Sequence, residues 1–107
     1  IRDYIHVLDL AEAHILALKK LNEEKGAFFY NVGTSNGFSN KEVISMVEKV
    51  SGKNVRVAVA GRRPGDPSVL VADASRIRDE LGFSPKYSDL ETIIRSAWEW
   101  HRRKLKI

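Results

Sequence analysis

Cysteine is absent from the 107 residues, proline occurs three times and methionine once. Without cysteine there is no disulfide framework, no thiolate nucleophile and no cysteine-ligated metal; that suits the cytoplasm, where we expect the protein. No apolar run approaches the ~18 residues of a membrane span. Arg2, Asp3, His6 and Asp9 interrupt the first stretch, which does not read as a secretory leader. The charge excess is small: net +4 admits an anionic ligand but is too weak to imply nucleic acid. Repeats, low-complexity segments and linkers are missing as well. His6, His14 and His101 fall on different elements with no partner at ligand spacing, so no metal site is expected. His14 and His101 fall on apolar stripes and read as core or interface residues.

What remains is an ordinary globular composition, 43% hydrophobic and 30% charged. The chain opens at Ile1, directly on a strand-like segment, and is expected to be a piece of a longer protein. Tyr4-Ile5-His6-Val7 reads as a strand, followed by a helix that Asp9 and Glu12 would cap as a box. The apolar stripe of that helix is Leu10, Ala13, His14, Ala17, Leu18 and Leu21. Phe28 to Val32 reads as a buried strand. Ser39 with Glu42 opens a second helix, which Gly52 stops. Val55, Val57 and Val59 alternate as a half-buried strand does. Asp73 caps a brief helix ending at Gly82, and Ser88 with Glu91 boxes the start of the last helix, where Trp98 faces inward and Trp100 sideways. With the short apolar segment Val69-Leu70-Val71 as a fourth strand before the Asp73 helix, the order β-α-β-α-β-β-α-α predicts a small mixed α/β unit.

Two loops draw attention. Gly33-Thr34-Ser35-Asn36-Gly37 sits between a predicted strand and helix, yet lacks the G-x-G-x-x-G spacing and reads as a simple turn. Arg63-Pro64-Gly65-Asp66 reads as a type II turn, because Pro64 presets φ and Gly65 tolerates positive φ. It brings a guanidinium, suited to phosphate oxygens, beside a carboxylate that accepts from vicinal hydroxyls. On local grounds alone the simpler reading is preferred, an Arg–Asp pair closing an exposed loop at about 0–1 kcal/mol. Arg2 has no partner visible in the sequence.

Arg2-Asp3-Tyr4-Ile5-His6-Val7, Asp9 to His14, Tyr30-Asn31-Val32-Gly33, Phe38-Ser39 with Glu42-Val43, Arg62 to Asp66, Ala72-Asp73 and Ala97 to His101 form an ordered set. Together they resemble the carboxyl-terminal part of the UDP-glucose 4-epimerases, within the extended short-chain dehydrogenase/reductase superfamily. The resemblance implies an α/β substrate-binding lobe over residues 1–107, separated from its Rossmann domain. It implies that Arg2 and Arg63 contact the diphosphate of a UDP-sugar, that Asp66 contacts the ribose, and that Leu70 stands where some members carry tyrosine near the ribose. It further implies an enzyme interconverting UDP-glucose and UDP-galactose through a 4-keto intermediate, with NAD held by the amino-terminal domain, and a homodimer at full length. No catalytic residue falls in this chain: Tyr4, Tyr30 and Tyr87 are followed four positions on by Leu8, Thr34 and Glu91, never by the lysine of a Tyr-x-x-x-Lys pair. The lobe alone is expected to be inactive and to self-associate. Two alternatives stand beside this: another NAD-dependent nucleotide-sugar epimerase, dehydratase or decarboxylase, or a small basic module binding nucleic acid or protein through the last helix.

Overall fold

Among the described residues helices supply all the regular structure. The computed structural model describes residues 1–105. Within them α1 spans Val7–Glu23, α2 Asn40–Ser51, α3 Ser75–Leu81 and α4 Leu90–Leu105.

Both ends of α2 and the stop of α3 follow from their sequence, whereas Ala74, not Asp73, holds the N-cap position of α3, without a side-chain cap. Ser39 Oγ accepts from the Glu42 N–H at 3.2 Å, and Gly52 ends α2 in the left-handed region at φ 70°. Asp73 accepts from the Ser75 N–H at 3.1 Å just before α3, which stops at Gly82. The other two predicted boxes are corrected. His6 caps α1, its Nδ1 accepting from the Leu8 N–H at 3.0 Å. That bond leaves the proton on Nε2, which donates to Ser96 Oγ at 2.8 Å. Asp89 caps α4, accepting from the Thr92 N–H at 3.0 Å. Asp9 and Ser88 are diverted from capping because they bind each other across the fold, hydroxyl to carboxylate at 2.5 Å. The Lys86 and Tyr87 N–H groups also donate to Asp9, each at 2.9 Å. A buried carboxylate with three such donors is worth more than a local box whose donors water can satisfy.

The predicted strands are the main correction: among the described residues no strand forms. Val7 opens α1 instead of ending a strand. Residues 28–32 keep the expected period of two, with Phe28, Tyr30 and Val32 half-buried while Phe29 is 78% exposed. A strand is defined by a neighbour that takes its N–H and C=O groups, and here no other segment runs alongside to do so. Residues 55–59 are exposed throughout. The two isolated bridges that do form both involve Arg2, antiparallel to Phe38 and parallel to Leu70.

A small core of Ala13, Ala74, Ile77 and Phe83 lies where α1 meets α3, with Ile5, Leu16, Tyr30 and Val32 against it. α2 packs along α4. The result is flat, 50 × 37 × 18 Å, with a radius of gyration of 16.7 Å against about 13 Å for a compact chain of this length. Its surface is 8285 Å², where a self-contained globule of this mass shows about 6,000 Å². The excess is apolar in part: Leu18, Leu21 and Trp100 are 60%, 52% and 63% exposed. His14 and His101, read as core or interface residues, are exposed and so do not belong to the core.

Candidate functional site

The predicted type II turn is present. Gly65 adopts φ 79°, a conformation that strains any residue with a Cβ, and the Asp66 N–H closes onto the Arg63 carbonyl at 3.1 Å. Asp66 leaves the turn towards the amino-terminal segment, where its Oδ1 meets Arg2 Nη2 at 2.6 Å. Its Oδ2 lies 3.4 Å from Arg63 Nη2. One carboxylate therefore stands between two guanidinium groups, one from the amino-terminal segment and one from its own turn.

The two arginines are held differently. Arg2 Nη1 donates to the carbonyls of Ile1 and Pro67, at 2.9 and 3.0 Å, so the Arg2 fork is seated in backbone. The Arg63 side chain is 85% exposed and has only its long contact to Asp66. Beside them opens a polar cleft of about 390 Å³, lined by Arg2, Asn40, Arg62, Arg63, Asp66 and Ser68 among others. Three guanidinium groups face one carboxylate there, so the cleft favours an anion. Larger clefts of about 630 Å³ lie elsewhere, one of them between α2 and α4 over Phe38, Met46 and Leu90. Neither has a comparable convergence of cationic groups.

Arg2, Arg63 and Asp66, the residues singled out in the sequence, come together. Leu70 does not join them on the cleft wall: it is 58% exposed, and its N–H is bonded to the Ile1 carbonyl at 2.9 Å. Sequence reading missed Asn40, Arg62 and Ser68. Arg62 was available as the neighbour of Arg63. Ser68 lines the cleft beside Ile1, a residue 67 positions away, a pairing with no local signal.

The loop at 33–37 does not form a phosphate cradle. The Thr34 and Ser35 N–H groups, which would face a phosphate, both donate to the Asp3 carboxylate at 3.0 Å. A Cβ on Gly33 would sit 2.5 Å from Asp3 Oδ2 and 2.7 Å from Ala72 Cβ, so this glycine serves close packing. The Thr34 and Ser35 N–H groups are thus already taken and do not fit a dinucleotide phosphate. Among the described residues no cluster of His, Cys, Asp and Glu could hold a metal ion, and no helix is long and apolar enough to cross a membrane.

A protein called UDP-glucose 4-epimerase from Lacticaseibacillus casei is 46% identical over 101 residues, covering 94% of this chain and 30% of that protein. A crystal structure of a UDP-glucose 4-epimerase superposes with a TM-score of 0.91 at 46% identity, over 98% of this chain and 32% of the other. A UDP-glucose 4-epimerase from Stenotrophomonas maltophila, crystallised with bound NAD and formylated UDP-arabinopyranose, gives a TM-score of 0.89 at 39% identity, covering 97% and 31%. The chain therefore spans about 30% of the length of the curated relatives it matches. The family model described as GDP-mannose 4,6 dehydratase matches residues 1–97, and the chain belongs to that family.

Proposed function

We propose that this chain is the part of an NAD-dependent UDP-glucose 4-epimerase that grips the uridine diphosphate of the substrate. The observation that carries the reading is the convergence of Arg2 and Arg63 on Asp66 beside a cleft with net positive charge. On binding, the exposed Arg63 guanidinium swings from its 3.4 Å contact to the diphosphate, where charge-assisted bonds are stronger. Arg2, seated by two carbonyls, adds fixed positive charge. Asp66 is left to accept from ribose hydroxyls and set the register of the nucleotide.

The chemistry at the sugar lies outside these residues. This chain has no Tyr-x-x-x-Lys pair and no loop suited to NAD, which in this reading is bound by another domain and supplies the hydride chemistry. Its own contribution is to hold a group remote from the reacting carbon, which aligns that carbon and supports turnover through binding energy. The names of the relatives favour interconversion of UDP-glucose and UDP-galactose. The description of the family model supports a second reading, a nucleotide-sugar dehydratase using the same anchoring.

Titration of the full-length protein with UDP, before and after Arg63→Ala, tests the anchoring. A fall in UDP affinity of about tenfold or more is expected, since a lost charge-assisted bond is worth about 1.5–3 kcal/mol, with dinucleotide content unchanged. Unaltered UDP affinity would refute it. Salt-sensitive binding to generic DNA with no preference for UDP would favour a basic module using the end of α4.

A further inference from the structure

We propose that Asp3 is the positioning residue of the cationic cleft, fixing Arg2 against the Arg63–Asp66 turn without lining the cleft itself. The inference rests on reading that cleft as the diphosphate site. Residues 1–3 run between two other segments. On one edge the Arg2 N–H donates to the Phe38 carbonyl at 3.0 Å, and the Phe38 N–H returns to the Arg2 carbonyl at 2.8 Å. On the other edge the Leu70 N–H donates to the Ile1 carbonyl at 2.9 Å. Both are isolated bridges, and pairings this short are not independently stable in water.

The Asp3 carboxylate reaches both edges. Oδ1 accepts from Thr34 Oγ1 at 2.7 Å and from the Thr34 N–H at 3.0 Å. Oδ2 accepts from the Ser35 N–H at 3.0 Å and, across the strip, from the Ala72 N–H at 3.3 Å. Thr34 and Ser35 lead to Phe38, and Ala72 lies just beyond Leu70. One side chain therefore cross-links the three segments whose bridges hold Arg2 in place, and the absent side chain of Gly33 leaves room for it. Only an ionised carboxylate suits four converging donors. An amide would turn N–H groups against them.

The test uses UDP as the probe, in the full-length protein, by calorimetric titration together with steady-state kinetics on a UDP-sugar. Asp3→Asn is expected to raise the UDP Kd about tenfold and KM in parallel, with kcat held within about twofold and dinucleotide content unchanged. In an Arg63→Ala background the same change is expected to cost much less, because the site it aligns is already broken. Full additivity of the two, or unchanged UDP affinity in a folded Asp3→Asn protein, overturns the role of Asp3 alone. Unchanged affinity in Arg63→Ala overturns the diphosphate reading, and this inference with it. If Asp3→Asn does not fold, Thr34→Val removes one hydroxyl donor and keeps the backbone donors. A rise in Kd of about threefold is then expected, and none would be decisive against the proposal.

Discussion

Arg2 and Asp66, 64 positions apart, meet in a 2.6 Å ion pair that joins the amino-terminal segment to the type II turn. Their side chains are about one-third exposed, 31% and 30%, so solvent screens the attraction and the pair alone contributes little more than about 1 kcal/mol. Its larger effect is geometric. With the Arg2 bonds to the Ile1 and Pro67 carbonyls, it fixes where the turn sits, and so where Arg63 can reach.

A division of labour between the two arginines follows. Arg2→Ala removes three bonds made to the protein itself and should lower stability by about 1–3 kcal/mol as well as weakening UDP binding. Arg63→Ala removes a long contact at an exposed position and should leave stability within about 0.5 kcal/mol while affinity falls. Thermal unfolding of both variants, followed by circular dichroism, checks this. Equal losses of stability would contradict the division.

What the sequence disclosed was what short-range chemistry decides. Pro64-Gly65 dictates its turn, Ser39 its cap and Gly52 its stop, because each acts within four residues. The alternation at 28–32 was also legible, and burial follows it, but a ladder depends on a neighbour that no local pattern supplies. Asp9 and Ser88 show the same limit: each sits at the spacing of a capping box, and a contact spanning 79 positions outcompetes both. In the site, Arg63 and Asp66 could be paired from their turn, whereas Arg2 became intelligible only through family resemblance and then through its bridges.

The tight packing at Gly33 predicts a contrast between glycines. Gly33→Ala places a methyl group against Asp3 and Ala72 and should destabilise the fold by about 1–3 kcal/mol. Gly61 has open space around its Cβ direction and no positive φ, so Gly61→Ala should be neutral or stabilising by about 0.4–1 kcal/mol. Denaturant midpoints measured in the same buffer decide it. A neutral Gly33→Ala would mean that the strip, Asp3 included, yields readily.

The uncovered stripe of α1 makes a prediction for the 107-residue chain expressed alone. With Leu18 and Leu21 more than half exposed and surface well above that of a compact globule, it should associate with rising concentration and bind a hydrophobic dye. Leu18→Glu should reduce both. Sedimentation of a single, stable monomer over a wide concentration range would be inconsistent with this surface.

Acid stability should be governed in part by Asp9, which is only 3% exposed. Burial acts to raise its pKa, but the Ser88 hydroxyl, the Lys86 and Tyr87 N–H groups and nearby His6 outweigh it and hold the carboxyl below its ordinary value. A carboxyl depressed in the folded state stabilises the fold above its unfolded pKa, about 3.9. That contribution is lost as pH falls through the lower, folded value. Asp9→Asn should therefore cost about 1–3 kcal/mol near pH 7, where the carboxylate holds three donors. The gap from wild type should narrow below about pH 4 as the wild-type carboxyl takes up its proton. Urea midpoints for both proteins across that range test the linkage. Curves that stay parallel into strong acid would show that the group binding the ends of α1 and α4 does not titrate with unfolding.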